Sequence, residues 1–278
     1  MSRNNVSPKS NNAPLKADML DSDRFERTRR IQWIDLGRVS KHRVLVIGVG
    51  ATGNETVKNL VLSGFRRITV IDMDRVVRSN LNRCVFFTEG DATGKMFKAE
   101  AVAKGAMKLE PSAKVVPDTL RLQDKPGSFF SKFDIVLGCV DNIETRLHAN
   151  SHCWHYGVPY IDCGTRGTAG KVQAVVPAPP ETPCIECSVN SSHMKVLSLR
   201  QSCTGREATF YQPRLGAEIT TTSVVAAVQV REALKVASGL WDRLIDGIFY
   251  YDGLNNVTEI LKVSKNPDCG VCGTGNTG

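Results

Sequence analysis

Two pairs of cysteines in this sequence have the spacing of a metal site. Cys184 and Cys187 form one Cys-x-x-Cys pair, and Cys269 and Cys272 form a second. Four thiolates are the donor set of a tetrahedral structural Zn²⁺ site, to which each pair would contribute half. A redox role for one pair is the alternative, but two pairs with proline and glycine nearby favour zinc. Such a site would clip the later segment of the chain onto the main domain.

A different chemistry is indicated by Cys203, in the stretch LRQSCTGRE. Arg200 and Arg206 are cations close to it in sequence, and cations lower a thiol pKa and favour the reactive thiolate. Residues 189–215 show no clean periodicity and are predicted to form a long loop, which at this length is more often functional than idle. Cys203 is therefore a candidate nucleophile, with an incidental loop cysteine as the alternative. The remaining thiols lie in apolar or helical surroundings and are predicted core residues: Cys84, Cys139, Cys153 and Cys163.

A glycine cluster marks a third site, in the stretch VIGVGATG. Gly48, Gly50 and Gly53 fit G-x-G-x-x-G between a predicted strand and a predicted helix, and Asp72 follows about 20 residues later. The first glycine makes the turn, the second lets the backbone approach phosphate, and the third packs the helix on the strand. A carboxylate at Asp72 can accept a hydrogen bond from a ribose hydroxyl. The pattern predicts a nucleotide site without choosing between NAD and ATP.

Polar residues beyond the second strand favour ATP. A second carboxylate, Asp74, is followed by Asn80 and Arg83, whereas a dehydrogenase needs only one ribose acid there. Arg83 and Lys98 could neutralise phosphates, although a solvated surface charge is the alternative for each. Asp141 follows the fourth predicted strand, where ligands bind in open α/β sheets, and suits Mg²⁺ with ATP phosphates. A cap for the next helix is the alternative role of Asp141.

The elements that must position these residues alternate along the chain. Predicted strands cover 43–48, 67–72, 113–119, 133–140, 159–164 and 170–177, with a hairpin at 247–264; predicted helices cover 23–37, 52–64, 93–111, 141–157 and 219–239. The helix at 141–157 is predicted to be capped by Asp141. Strands alternating with helices at this spacing predict an α/β fold with a doubly wound, mostly parallel sheet. We expect a disordered tail over 1–22 and a single domain over 23–278.

Composition excludes several classes of protein. None of the apolar runs among the 278 residues approaches the ~18 residues of a membrane span, so we expect no membrane association. The net charge is +8, but lysine and arginine are scattered and not interleaved with stacking aromatics, so we expect no nucleic-acid partner. Nine cysteines without a secretion signal indicate a reducing compartment, and we expect a cytoplasmic protein. His148, His152 and His155 share a helix face, and we expect a partly buried or solvated row rather than a metal site.

Taken together, the motifs are similar to those of one family. From about residue 23 to residue 272 the chain resembles the adenylating enzymes that activate ubiquitin-like proteins, and their bacterial relatives in molybdopterin and thiamine biosynthesis. The matching stretches, in order, are GVGATG, IDMDRVVRSNLNR, GKMFKAE, CVDNIETR, IDCGTRGTAGKVQAVVP, CIEC, SCTG and NPDCGVC. The resemblance implies a Rossmann-like domain that binds Mg·ATP, here of a minimal homodimeric type with a zinc clip.

The resemblance also implies roles for individual residues. The nucleotide and its metal would be bound by Gly48, Gly50, Gly53, Asp72, Asp74, Asn80, Arg83, Lys98, Asp141 and Asn142. An N-terminal arginine would reach the ATP of the partner subunit, and in RFER the best match is Arg27, with Arg29 and Arg30 as alternatives. Cys203 would accept the thioester. Arg83, Lys98, Asp141 and Cys203 would be the catalytic residues.

The implied reaction has two steps. The C-terminal glycine of a ubiquitin-like protein ending in Gly-Gly would be adenylated with ATP, and Cys203 would then take the acyl group as a thioester for a conjugating enzyme. A sulfur-carrier adenylyltransferase without the thioester step remains open. An NAD-dependent oxidoreductase and a non-catalytic scaffold are further alternatives; the paired aspartates and zinc clip argue against the first, and the full set of ATP-site residues argues against the second.

Overall fold

The computed structural model describes residues 23–178, 181–189 and 216–273. The predicted tail at 1–22 lies outside these residues. So does nearly all of the predicted loop at 189–215, including Cys203.

Eight strands form one mixed sheet in the order β3-β2-β1-β4-β5-β6-β7-β8. The strands are β1 (Arg43–Ile47), β2 (Arg67–Ile71), β3 (Lys114–Asp118), β4 (Ile135–Gly138), β5 (Tyr160–Arg166), β6 (Ala169–Val175), β7 (Ile248–Asp252) and β8 (Val257–Leu261). Pairing is parallel from β3 through β5 and antiparallel from β5 to β8. The predicted α/β class, the mostly parallel sheet and the late hairpin are confirmed.

Seven α-helices surround the sheet in the described residues. They are α1 (Glu26–Arg29), α2 (Leu36–Val39), α3 (Ala51–Leu62), α4 (Glu89–Thr93), α5 (Lys98–Leu109), α6 (Ile143–His155) and α7 (Ile219–Ser238). Short 3-10 turns lie at Arg78–Asn80, Leu122–Asp124, Gly127–Lys132, Ile185–Ser188 and Trp241–Arg243.

Two predicted helices were wrong in extent. The stretch 23–37 holds α1 and the start of α2, because the Asp35 side chain accepts from the Arg38 N–H and begins a new helix. The stretch 93–111 is helical only from Lys98. Gly94 ends α4, and Lys95 follows with a positive φ of 51°, which a continuous α-helix cannot contain.

Each face of the sheet packs against its own apolar core. One core joins alternate residues of the strands, such as Val44 and Val46, to α3, α5 and α7. The other joins the opposite residues, such as Leu45 and Ile47, to α6, to the turn at Gly127–Lys132 and to three of the paired cysteines. Because both faces are covered, the inner strands are apolar throughout and not alternating.

The chain reverses its order in the sheet at β1. Strand β2 lies on one side of β1 and β4 on the other, so the crossovers leave in opposite directions. In open α/β sheets a ligand crevice forms outside the carboxyl ends of the strands at such a point. The glycine cluster after β1 and Asp141 after β4 both lie there. Among the described helices, none is long and apolar enough to cross a membrane.

Candidate nucleotide site and cysteine cluster

The three glycines after β1 have three different surroundings. Gly48 has φ +81°, a turn conformation that favours glycine. A Cβ on Gly53 would lie 2.1 Å from the Gly48 carbonyl oxygen, so a side chain there would collide with the turn. A Cβ on Gly50, the residue before α3, would meet nothing within 4 Å. The loop is therefore closed at its first and third glycines and open at the second, where a ligand can approach the backbone.

Asp72 fixes this loop from the end of β2. Its Oδ2 accepts from the Val49 N–H at 2.8 Å, and its Oδ1 accepts from the Asp74 N–H at 2.9 Å. Burial raises the pKa of Asp72, against the opposing effect of nearby Lys98. Each carboxylate oxygen retains a lone pair for a further donor, so the group can both hold the loop and accept from a ribose hydroxyl.

Two of the predicted phosphate-binding cations follow this carboxylate pair in the chain. Lys98, the first residue of α5, donates to Asp74 Oδ2 at 2.7 Å, and its side chain is only 14% exposed. Arg83 donates to the Ser79 carbonyl and to the Asn82 side chain. Asn80 closes the same turn by accepting from the Val77 N–H at 3.2 Å. Lys98 is therefore not a freely solvated surface charge.

The turn after β4 differs from the prediction in its helix cap. Asn142, not Asp141, is the N-cap of α6, since its Oδ1 accepts from the Thr145 N–H at 2.8 Å. Asp141 is exposed, and its carboxylate makes no hydrogen bond to a residue that the structure describes. The capping alternative for Asp141 was therefore wrong, and its oxygens are available to a ligand.

A buried network behind this turn was not found from the sequence. Arg146 Nη1 donates to Asp162 Oδ2 at 2.9 Å, and Nη2 donates to the Val140 carbonyl at 2.7 Å. The hydroxyl of Tyr160, fully buried, donates to Asp162 Oδ1 at 3.0 Å. Burial raises the pKa of Asp162, and Arg146 opposes that rise. Arg146 thereby holds the backbone immediately before Asp141.

An open cleft of about 290 Å³ extends from this turn. Its walls come from the start of α6, from β5 and β6, and from the segment that carries the first cysteine pair. The lining residues include Asp141, Asn142, Arg146, Arg166, Lys171 and Val189. Because it starts at Asp141 and extends over β5 and β6, the cleft lies on the side of Asp141 away from the glycine loop.

The two Cys-x-x-Cys pairs meet in space. Within the described residues, the ligand atoms of Cys184, Cys187, Cys269 and Cys272 all lie within 4.8 Å of one another. The Cys184–Cys269 sulfurs are 3.5 Å apart and the Cys187–Cys272 sulfurs 3.2 Å apart. A tetrahedral zinc with Zn–S bonds near 2.3 Å needs sulfurs ~3.8 Å apart. The Asn266 N–H also points at Cys187 Sγ at 3.4 Å, a contact that suits a thiolate ligand. The four residues fit a structural zinc site.

The other described cysteines are packed into the interior. Cys84, Cys153 and Cys163 are buried and Cys139 half-buried, as predicted. Burial raises the pKa of Cys84 to about 11 and that of Cys153 well above its ordinary value. These thiols are protonated at neutral pH and are poor nucleophiles.

The histidine row lies partly buried, also as expected. His148 and His152 are 4.4 Å apart between ring centroids, and His152 stacks on Phe130. Burial lowers the pKa of both histidines. The Nε2 atom of His148 is buried without a hydrogen-bond partner among the described residues.

With this geometry in place, the family can be assigned. The model of the ThiF family matches residues 26–271. The chain belongs to the ThiF family. The resemblance seen in the motifs is thus confirmed at the level of the family.

Curated relatives of this ThiF-family chain include subunits of activating enzymes. It is 28% identical to the NEDD8-activating enzyme E1 catalytic subunit of Arabidopsis thaliana over 302 residues, covering 84% of this chain and 66% of the relative. It is 37% identical to the same subunit from Dictyostelium discoideum, covering 56% of this chain and 37% of the relative. SUMO-activating enzyme subunit 2 of D. discoideum is 34% identical, with 54% and 22% covered. The chain therefore spans less than two thirds of the length of these relatives.

Solved structures share the fold. The crystal structure of E. coli MccB with ATP superposes with a TM-score of 0.70 at 21% identity, covering 91% of this chain and 75% of MccB. MccB with AMPCPP and MccA gives a TM-score of 0.73 at 20% identity, covering 93% and 77%. At this identity the likeness is one of fold.

Within the ThiF-family fold, the predicted nucleotide residues fall in two groups. The three glycines, Asp72, Asp74, Asn80, Arg83 and Lys98 lie around the ends of β1 and β2, and Asp141 and Asn142 lie after β4. Arg27 lies in α1 and is exposed, and it makes no ion pair with a described residue, whereas Arg29 pairs with Asp23 and Arg30 with Glu26. Cys203 lies outside the described residues.

Proposed function

We propose that this protein adenylates the C-terminal glycine of a ubiquitin-like protein with ATP and then takes the acyl group onto Cys203. The observation that carries the first step is the open glycine loop at the switch point of the sheet, with carboxylates and cations on both sides of it. Membership of the ThiF family supports the same chemistry, since its relatives here are NEDD8- and SUMO-activating enzymes.

ATP would lie across the carboxyl ends of β1, β2 and β4. The backbone at Gly50 would approach the phosphates, with the α3 N-terminus facing the anion. Asp72 would accept from the ribose, and Asp74 would hold Lys98 in place. Lys98, Arg83 and Asn80 would contact the phosphates, which explains why a mostly buried lysine lies beside an otherwise open site.

Mg²⁺ fits the free carboxylate of Asp141 with Asn142 beside it, since hard oxygen donors are what this ion prefers. Bound there with ATP, the ion would neutralise phosphate charge. Arg146 would position the backbone before Asp141 through the Val140 carbonyl.

In the first step, a carboxylate oxygen of the terminal glycine attacks the α-phosphorus of ATP. The bond from that phosphorus to the bridging oxygen breaks, pyrophosphate leaves with the electron pair, and an acyl-adenylate forms. Arg83 and Lys98 stabilise the negative charge that develops on the phosphate oxygens.

In the second step, the Cys203 thiolate attacks the acyl carbon, and AMP leaves. Support for Cys203 comes from its flanking arginines and its irregular sequence segment, because the four described cysteines outside the cluster are packed in the interior and the paired cysteines suit zinc. The thioester would then pass to a conjugating enzyme. In the alternative, a sulfur-carrier adenylyltransferase, the reaction stops at the acyl-adenylate.

The protein would act as a homodimer, with Arg27 of one copy reaching the ATP of the other. Support comes from the charges in α1: the neighbouring arginines are held in ion pairs, and Arg27 remains available to a partner.

The test of both steps is incubation with ATP, Mg²⁺ and a ubiquitin-like protein that ends in Gly-Gly. We expect ATP–pyrophosphate exchange, and an adduct that is lost on reduction and absent in Cys203→Ala. Exchange with no reducible adduct would favour the sulfur-carrier alternative. Protection against thermal unfolding by NADH but not by ATP would contradict the proposal as a whole.

The dimer is tested by mixing two inactive variants, Arg27→Ala and Asp141→Asn. If Arg27 acts on the partner's nucleotide, the mixed dimer contains one intact site. Random mixing should then restore about one quarter of the exchange activity, since half of the dimers are mixed and each has one intact site. If Arg27 acts within its own chain, mixing restores nothing.

A further inference from the structure

The cleft beside Asp141 carries positive charge that the proposed ATP site does not use. On β5, the face toward α6 is formed by every second residue, which are Asp162, Gly164 and Arg166. Lys171 on β6 is paired with Gly164 and therefore lies on the same face. Arg166 and Lys171 both line the cleft. Sheet register therefore brings two cations to one wall, next to the N-terminus of α6.

Neither cation forms an ion pair within the described residues. Burial lowers the pKa of Lys171 and the buried Asp162 opposes that effect, but the two Asp162 oxygens are already bound, one by Arg146 and the other by Tyr160. Lys171 is half-buried, and its ammonium has no ion-pair or hydrogen-bond partner in the described part of the chain. A cation withdrawn from water without a partner is unfavourable, so it would gain from an anionic ligand.

The cleft beside Lys171 has room for that ligand. Gly164 has no side chain, so the Arg146 guanidinium can pack over it, and the cleft of about 290 Å³ remains open beside that group. The rest of the lining includes Ile143, Ile185 and Val189, which suit the methylene groups of an amino-acid side chain better than a bare phosphate.

We propose that this cleft binds the carboxylate of an acidic residue in the tail of the ubiquitin-like protein, shortly before its terminal glycines. The inference rests on the proposed function, which brings the terminal carboxylate to Asp141 at one end of the cleft. An extended chain advances ~3.3 Å per residue, so two or three residues would cross ~7–10 Å along it. Arg83 and Lys98, the cations assigned to phosphate, lie on the other side of Asp141.

The experiment compares three synthetic heptapeptides, Ala-Ala-Ala-Leu-Xaa-Gly-Gly, in which Xaa is Glu, Gln or Lys. Binding to the full chain is measured by isothermal titration calorimetry with saturating AMPCPP and Mg²⁺. We expect the Glu peptide to bind about tenfold more tightly than the Gln peptide, as one charge-assisted hydrogen bond allows, and the Lys peptide to bind most weakly. Equal affinity of the Glu and Gln peptides would overturn the inference.

Substitutions in the cleft test whether it causes the preference for the Glu peptide over the Gln peptide. Lys171→Met and Arg166→Gln should each reduce the Glu/Gln ratio to below about threefold, since one cation then remains. Lys262→Met is the matched control, because Lys262 is exposed and paired with Asp246 on the hairpin. If Lys171→Met weakens AMPCPP as much as it weakens the Glu peptide, the cleft binds phosphate and the inference is wrong. If the protein shows ATP–pyrophosphate exchange with a Gly-Gly protein but binds the Glu and Gln peptides equally, this inference is wrong and the proposed function is unaffected.

Discussion

The glycine loop and the four-cysteine cluster differ in how far along the chain their parts are drawn from. Gly48, Gly53 and Asp72 belong to one strand–helix–strand segment, and Asp72 bonds directly back to the loop at Val49. The cysteine cluster joins Cys184 and Cys187 to a pair that begins at Cys269, with α7, β7 and β8 between the two pairs. A site of the first kind depends on contacts within one short segment, and one of the second kind depends on contacts between distant segments and would depend on any metal that the four cysteines bind. Substitutions in and between the two regions test that difference.

The largest effect is expected at the cysteine cluster. Cys269→Ser should lower the free energy of unfolding by about 5 kcal/mol, since zinc-finger peptides gain roughly 10–16 kcal/mol from their metal and a broken site loses a large part of this. Bound zinc, measured by elemental analysis, should fall from one ion per chain to less than half. Cys203→Ser should keep its zinc. Full stability of Cys269→Ser would show that the cluster does not hold the fold together.

The next effect concerns Arg146, which lies between the two regions. Arg146→Met leaves Asp162 buried without its cation and should cost about 4 kcal/mol in chemical denaturation. Its exposed counterpart is the pair of Arg43 with Asp134, whose side chains are 49% and 35% exposed. Arg43→Gln should cost less than about 1 kcal/mol. Similar losses in the two variants would mean that burial of the Arg146 pair is unimportant.

A smaller loss of stability is expected in the glycine loop, with a clear loss of ligand binding. Gly53→Ala should cost about 3 kcal/mol because its Cβ overlaps the Gly48 carbonyl, and ATP should no longer raise the melting temperature. Gly50→Ala has room for its Cβ, so stability should change by less than about 1 kcal/mol while ATP binding weakens. Equal destabilisation by both substitutions would contradict the division of roles among the glycines.

The smallest expected effect is a dependence of stability on pH, which arises from the histidine row on α6. Burial lowers the pKa of His148 in the folded state, so the unfolded chain binds the extra proton more readily. His148 therefore favours folding above about pH 6.5, the ordinary histidine value, and stability falls as the pH drops through the folded-state pKa. Groups facing it are His152, Glu144 and Arg121.

His148→Phe should remove part of this loss of stability in acid and gain about 1 kcal/mol at pH 6, because a buried nitrogen without a partner is replaced. His155→Gln, at an exposed position of the same helix, is the control. Thermal unfolding from pH 8 to pH 5 measures both variants, and identical pH profiles for His148→Phe and the unmodified protein would contradict the assignment.

Local patterns in the sequence predicted the elements that depend on local contacts. The β1–α3–β2 segment was placed to within two residues and the hairpin to within three, because strand burial and glycine spacing depend on residues close together in the chain. Helix boundaries failed where a side-chain cap decided them. Asp35 begins α2, and Asn142 takes the cap that the sequence favoured at Asp141.

The cationic cleft could not be seen in the same way. The β5–β6 register brings Lys171 and Arg166 to the same cleft, and Arg146 reaches Asp162 because α6 packs on the sheet. One signal was present in the sequence: Asp162 is a carboxylate inside the apolar strand YIDCG, which requires a buried partner. Which cation would supply it depends on tertiary contacts.

The separation of the two cysteine pairs along the chain also determines when each pair is synthesised. Cys269 leaves the ribosome 82 residues after Cys187, by subtraction of their numbers. At a synthesis rate of about 5–20 residues per second, the first two thiolates wait ~4–16 s for the second two. During that interval β1–β6 have already been synthesised, but the four-sulfur site cannot be completed. A zinc ion bound by all four sulfurs would therefore be acquired only after α7, β7 and β8 have been made, which is late in the synthesis of this protein.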